Sequence, residues 1–576
     1  MKPDILAARA LNAARIAHLP TYVAMRAMLD SRTDRERVSW IMNVAAGKAS
    51  TRTEWRYYDF PILKELEKEG TAVYRDYTLG SPTTLLAEAH VLHLLSHSQA
   101  FAVPECVYSY HWPQQERSSR NYQYFFDGYT ARNQKIAKLL STNPDHVAVI
   151  SDIRHFYPSV AWDVLQAKFE RRLDRVEDRS TKSKAIRVLE GVRAIPGRGI
   201  PIGPDFAHLL GHVALEDVDT SLFSEFGERY LRYVDDLIVV CPAAEAKGVA
   251  TTIASAVTES EFEVHEGKND VVPAAAWLSD CPSMKDTDDE PAFNALIRDL
   301  TVYLMLKPKS FDSIRQIFEA EGFSIPLERL RTQSKYGPFR RFIHYRHLSG
   351  IVDIAKLYFW KDSDFLSRAI RVRNDLSDSL KGLLAVPVPA NGMSRRWFVQ
   401  KCRYHLNRLL YLLPQSSYGQ IRSSIPDGSE FDEYRILLDA LISGNVNAIA
   451  RLPGRAVGFF CELTSEHGAP DKHPWEGMNE RAVAESACAM ALYFGWQFSA
   501  DELSSMYEGS RTLLQACSTG VADRDQIRPH SYLDEVELLL RGTSTEDRHR
   551  YVQTRSDEDE LIGLEGLWLG ERNDFS

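Results

Sequence analysis

No run of 18 or more uncharged apolar residues occurs in this sequence of 576 residues, and the first 32 carry Arg9, Arg15 and Arg26 through their apolar stretch. A membrane-spanning helix needs about 20 such residues, and a secretory leader needs a clean apolar segment, so the chain reads as cytosolic with no membrane partner. Cysteine is scarce. The seven present (106, 241, 281, 402, 461, 488 and 517) lie far apart, are odd in number and form no C-x-x-C pair. A disulfide framework and a cysteine-based zinc site are thereby disfavoured, and reduced core residues are expected. Gly-x-Ser-x-Gly is missing and the histidines show no ligand spacing, so a zinc-dependent or nucleophile-based hydrolase has no support. No Pro/Gly-rich or long polar tract is present, so most of the chain should fold.

The formal charge is -10, the wrong sign for a surface that gains phosphate affinity by counterion release. Charge is nevertheless segregated. Residues 329–347 hold six Arg or Lys and no acid, whereas 557–574 hold seven acids and one Arg. The length is several times that at which one core stops growing, so three or four units are expected. Residues 1–120 mix helical stretches such as Leu85–Ser96 with an aromatic segment, Trp112–Tyr129, that has no clear period. Residues 121–285 have α+β texture, with short β-prone runs at 146–150, 230–234, 237–241 and 261–264. The acidic, proline-containing stretch 280–290 reads as a closing loop. Helices then dominate a connecting region, 286–425, and a C-terminal region, 426–576, with an acidic tail. In the latter, Ser429 is predicted to open a helix with Phe431, Tyr434, Leu437, Leu438 and Leu441 on one face and Gly444 at its end. Helices are also expected at 481–493 and 533–541.

Two stretches carry chemistry. In Leu231-Arg232-Tyr233-Val234-Asp235-Asp236-Leu237-Ile238-Val239-Val240, two apolar arms flank adjacent carboxylates. Strand side chains alternate faces, so neighbouring aspartates converge only where the backbone turns, as at a hairpin tip. Their repulsion between apolar arms is costly unless a divalent cation neutralises them; taken alone, an ordinary Asp-Asp turn reads equally well. In Val147-Ala148-Val149-Ile150-Ser151-Asp152-Ile153-Arg154-His155-Phe156-Tyr157-Pro158, an apolar strand runs into an acid that alone would also suit a helix N-cap.

Together, a strand-end acid followed 83 positions later by Tyr-x-Asp-Asp in an apolar hairpin resembles the palm of reverse transcriptases. Arg198-Gly199-Ile200-Pro201-Ile202-Gly203-Pro204 lies between the two motifs, where that family has a Pro-x-Gly turn, and His265-Glu266-Gly267-Lys268 follows like its Gly-Lys loop. The resemblance implies an α+β fold of right-hand polymerase fingers and palm with a large all-α C-terminal region. It implies a metal site at Asp152, Ile153, Asp235 and Asp236 for two Mg2+ ions about 4 Å apart, with Mn2+ as a substitute, serving transfer of a deoxynucleoside triphosphate to a primer hydroxyl. Asp152, Asp235 and Asp236 would be catalytic. Nucleotide contacts would come from Tyr157, whose ring excludes a 2′-hydroxyl, from Lys268 and Gly203, and from Arg132 and Lys135 of the fingers. Arg340, Arg341 and Arg346 of the basic segment, with Tyr233, would meet nucleic acid; a basic amphipathic helix would look similar.

Ile202 stands where most of the family has glutamine. The Ile-Pro-Ile-Gly-Pro form and the long helical C-terminal region are similar to bacterial defence-associated, abortive-infection reverse transcriptases. That branch implies antiphage DNA synthesis, either copying a noncoding RNA or working without a conventional template, primed by nucleic acid or by a protein hydroxyl. Tyr507, Tyr532 and Tyr551 are candidate acceptors. A companion defence protein or a second copy of the chain would be further partners. Two other readings stay open: an RNA-binding scaffold built on a polymerase palm, and an RNA-dependent RNA polymerase, which Tyr157 disfavours.

Overall fold

The computed structural model describes residues 3–30, 39, 41–43, 45–47, 56–66, 72–114, 118–281, 292–331, 355–390, 392–427, 429–452, 454–465, 470, 475–518 and 532–553. Helices α1 (Pro3–Ala17) and α2 (Leu19–Asp30) precede an antiparallel hairpin of β1 (Tyr57–Leu66) and β2 (Ala72–Gly80). Helix α3 (Pro82–Ser96) follows, capped by the Ser81 hydroxyl and entered through Pro82. Helix α4 (Phe125–Thr142) leads into β3 (His146–Asp152). Several helices, the last two being α5 (Asp205–Ala214) and α6 (Glu216–Phe226), separate β3 from the hairpin of β4 (Tyr230–Tyr233) and β5 (Asp236–Pro242). Helix α7 (Ala246–Glu259) then returns the chain to β6 (Asp270–Pro273).

These last four strands form one sheet in the order β4-β5-β3-β6, with every pairing antiparallel. That order is the split βαβ arrangement, in which a strand inserts between the two parallel members of each crossover. Both faces are covered, which explains why β3 and β5 read as continuous apolar runs rather than alternating ones. Val147 and Val149 join Leu237, Val239 and Cys241 in a core with Val249, Ile253 and Val257 of α7. Their neighbours Ala148, Ile150, Ile238 and Val240 face the other way, onto Ile136 and Leu140 of α4 and onto Trp277 and Trp397.

Trp397 belongs to α8 (Gly392–Leu409), so this second face ties the helical region to the sheet. Farther along are α9 (Asp432–Ser443), α10 (Arg481–Phe494) and α11 (Tyr532–Arg541). The apolar core is not divided in chain order: Leu6, Tyr22 and Met25 of α1 and α2 share one cluster with Val483 and Ala487 of α10 and Val536 and Leu540 of α11. Six of the seven cysteines are buried and none is in a disulfide.

Several local expectations shift. The run 261–264 is not a strand: Glu261 is left-handed (φ 65°) just past α7, the Phe262 N–H closes back on the Val257 carbonyl at 3.0 Å, and Val264 makes an isolated bridge to Ile153. The fourth strand is instead β6, four residues ending in Pro273, a residue that lacks a ladder donor and suits an edge. The hairpin β1–β2 went unread within the N-terminal region. Ser429 opens a 3-10 turn, and α9 begins at Asp432 after it, ending on left-handed Gly444 (φ 70°) as expected. Most of the 280–290 loop and the acidic tail lie outside the described residues.

Trp397 is 1% exposed and edge-on to Trp277 at 5.1 Å, and among the described residues its indole N–H has no hydrogen-bond partner. Replacing it by Ala removes the packing and should cost about 3–5 kcal/mol. Trp397→Phe keeps most of the contact and removes the unsatisfied N–H, so a thermal-denaturation comparison should find it much the milder change.

Candidate active site

Tyr233 pairs with Asp236, so the β4–β5 hairpin turns on two residues, Val234 and Asp235. Val234 has φ 53°, a conformation that burdens a β-branched side chain by about 1–3 kcal/mol and persists only where its surroundings enforce it. They do. The Val234 N–H donates to Ser109 Oγ at 3.0 Å, its carbonyl accepts from Arg232 Nη1 at 2.8 Å, and the Ile153 N–H donates to the Asp235 carbonyl at 3.2 Å. Arg232 is held in turn by Asp219 of α6, Nε to Oδ1 at 2.7 Å and Nη2 to Oδ2 at 2.6 Å, and the Tyr230 hydroxyl donates to the same Oδ1 at 2.8 Å. Both charges are buried, and such a pair is worth having only when it is bidentate and fully bonded.

The register places Asp152, the last residue of β3, opposite Asp236, the first of β5, with Asp235 in the turn beside them. Acids from two separate stretches of the chain therefore meet at one end of the sheet. Burial, then the charges of Asp236 and Asp152, push the Asp235 carboxyl well above the usual carboxylate range. Asp152 is raised too, by burial first and Asp236 second, with Lys268 opposing. The Lys268 ammonium lies 3.2 Å from both Asp152 oxygens, and the His265 N–H donates to the Asp152 carbonyl at 2.7 Å, fixing the Gly-Lys loop to the strand end. On the other side Arg132 Nη1 approaches Asp236 Oδ2 at 3.5 Å. That guanidinium is 1% exposed and lies 4.7 Å from the Tyr129 ring centroid and 5.3 Å from that of Tyr233.

A set of carboxylate oxygens, drawn together and desolvated, suits a hard divalent cation. Ionising all three there is unfavourable without positive charge. Among the described residues no group of three or more His, Cys, Asp or Glu side chains is placed to hold a metal ion; Lys268 and Arg132 stand against the outer two carboxylates. Oxygen donors of this kind are those magnesium takes.

Tyr157 lies beside the carboxylates in an aromatic layer. Its hydroxyl shares a 3.0 Å hydrogen bond with His208 Nδ1, and the His208 ring stacks on Tyr110 at 3.8 Å. Gly203 (φ 128°) sits under β2: the Thr78 N–H donates to the Ile202 carbonyl at 2.7 Å, and a Cβ on Gly203 would fall 2.0 Å from the Thr78 carbonyl oxygen. Only glycine fits there. Gly199 lies similarly on the Tyr157 backbone, with the Ile200 N–H bonded to the Tyr157 carbonyl at 2.8 Å. Ile153 is buried next to the tip.

Other predicted residues are not brought to this place. Lys135 is paired with Glu228 at 2.6 Å, at the opposite end of β4 from the aspartates. Arg340, Arg341 and Arg346 lie outside the described residues. Tyr551 is buried and Tyr507 is half-buried with Arg481 near its ring, both in the helical core region, and Tyr532 is the first residue of α11. Ser109, Tyr110, His208 and Asp219 went unnoticed. Arg232 did carry a signal, since an arginine within an apolar arm demands a buried acidic partner, but nothing marked which acid that was.

No protein-family model and no curated protein matches the chain. Among solved structures it is similar to a telomerase from Candida albicans, in a complex with a fragment of telomeric RNA, at 12% identity over 64% of this chain and 67% of that one, with a TM-score of 0.27. A likeness that slight defines neither fold nor activity. Among the described residues no helix is long and apolar enough to cross a membrane.

Asp219→Ala strands Arg232 in the core and should lower stability by about 3–5 kcal/mol in denaturant titrations; an apolar replacement of both partners should recover much of that loss. Asp235→Asn should act in the opposite direction. Because the folded-state pKa is raised above the ordinary 3.8, the wild type bears a cost that sets in as pH rises through that value and grows up to the folded pKa. The variant should therefore melt higher than wild type at pH 7, with the gain vanishing toward pH 3.

Proposed function

We propose that the protein is a nucleotidyltransferase of the reverse-transcriptase type that extends a primer with deoxynucleotides. The observation that carries this reading is the register: Asp152 and Asp236 face each other across β3 and β5, with Asp235 in the strained turn between β4 and β5. The order of motifs around them supports it. In this reading Asp152, Asp235 and Asp236, with Ile153 alongside, would hold magnesium, or manganese in its place. Two such ions, when bound, supply the positive charge that phosphoryl transfer needs at the attacking and departing oxygens.

The chain's own residues do the rest. The Arg232–Asp219 pair and the Ser109 hydroxyl keep the turn in place, so the carboxylates need not reorganise during reaction. Lys268 balances Asp152 and is available to a phosphate when a cation takes its place on that carboxylate. Arg132, buried and held by its ring contacts, balances Asp236 from the other side. Tyr157, fixed by His208, presents a rigid ring that would crowd a ribose 2′-hydroxyl. Gly203 lets the Pro-Ile-Gly-Pro segment lie directly on β2, coupling the N-terminal hairpin to the nucleotide side of the site. The antiphage setting, with a noncoding RNA template or none, is part of the proposal and rests on the Ile-Pro-Ile-Gly-Pro segment.

Purified protein with Mg2+ is expected to incorporate labelled deoxynucleotides, and Asp235→Asn with Asp236→Asn to reduce this by at least about 10³-fold, as expected where transition-state charge loses its support. Incorporation that survives both changes would refute the assignment. Tyr157→Ala should raise ribonucleotide use relative to deoxynucleotide use; an unchanged ratio would remove the steric role.

A further inference from the structure

Next to the carboxylates, the loop 267–270 and α8 enclose a cavity of about 280 Å³, near the lower end of the range for small-molecule sites, roughly 300 Å³. Its charged lining is Lys268, Arg395, Arg396 and Arg403 against Asp270 and Glu430. Both acids are already committed. Arg395 takes both Glu430 oxygens, at 2.6 and 3.2 Å, and Arg403 Nη2 donates to the Glu430 carbonyl at 2.9 Å. Asp270 accepts the Val271 N–H at 2.9 Å and the Met393 N–H at 2.8 Å, and so occupies the start of α8. Gly392 (φ 69°) permits that approach, since a Cβ there would lie 2.6 Å from Asp270 Oδ2.

Arg396 differs from the other two arginines. Among the described residues its hydrogen-bond partner is the Met393 thioether at 3.7 Å, a weak acceptor for a guanidinium. Four cations against two engaged acids, with Lys268 also paired to Asp152, leave the lining with an excess of positive charge in a chain whose net charge is -10. Lys268 is its shared wall, lining the cavity while its ammonium touches Asp152. A small, concave, cationic space joined to a carboxylate cluster through one lysine suits a compact polyanion better than an extended strand.

We propose that this cavity is a phosphate-anion subsite that takes the polyphosphate end of a nucleotide or the pyrophosphate leaving it. Which phosphate arrives rests on the nucleotidyltransferase reading; the anion chemistry does not. Inorganic pyrophosphate titrated calorimetrically into the full chain without divalent ions should bind saturably. Arg396→Ala should weaken that binding by about tenfold or more, with a smaller loss for Arg396→Lys, both variants melting like wild type. Asp235→Asn should bind at least as tightly as wild type; pyrophosphate binding by a wild type that incorporates no nucleotide would uphold the subsite while the polymerase reading failed. No pyrophosphate binding by wild type, or equal binding by a folded Arg396→Ala, would overturn it. An Arg396-dependent affinity for a 5′-hydroxyl oligonucleotide without affinity for pyrophosphate would also overturn it, in favour of a strand-backbone contact.

Discussion

Mutual repulsion among Asp152, Asp235 and Asp236 is the constraint around which the rest is arranged. Like charges close together in a poorly hydrated place resist ionisation, and two of the three carboxyls are pushed upward accordingly. Nothing in the apolar sheet would bring them together spontaneously. They meet because β3 and β5 are locked in register by buried residues on both faces, and a slip of one residue would exchange the two cores.

The turn adds a second cost, a β-branched residue at positive φ, and the surrounding polar groups offset it. Ser109 and Arg232 hold Val234 from the backbone, Asp219 holds Arg232, and Tyr230 completes the acid's bonding. The carboxylate and guanidinium of this buried network are both bonded, which helps it rigidify the fold, although His212, 3.5 Å from Arg232 Nη2, has no partner for its Nε2 among the described residues. Lys268 and Arg132 supply positive charge at the two flanks. Lys268 also lines the neighbouring cavity.

The sequence made some of this legible and hid the rest for physical reasons. The strands β3 and β5 were readable because β-branched runs abut acids, β4 because an aromatic and apolar arm leads into the same acids, and α9 and α10 because apolar period and terminal glycines agree. The acids could be expected to converge, since adjacent aspartates share a space only at a turn. The hairpin β1–β2 and the edge strand β6 were not visible: the first lies in a region of mixed texture, and the second is four residues long with a terminal proline. The aromatic segment 112–129 had no period because much of it is neither helix nor strand; Trp112 and Tyr122 stack at 5.2 Å, while Tyr110 and His208 form the layer beside Tyr157. Asp219 was indistinguishable from its solvent-facing neighbours, since its role depends on a partner 13 residues away in the hairpin.

The central claim is that these carboxylates form one site for a divalent cation. Manganese binding to the full chain, followed by electron paramagnetic resonance in wild type and in Asp152→Asn, Asp235→Asn and Asp236→Asn, tests it most directly. Saturable binding that is lost or weakened by about tenfold or more in each variant is the predicted result. Binding that is unchanged by all three, or no binding by the wild type, would contradict the account.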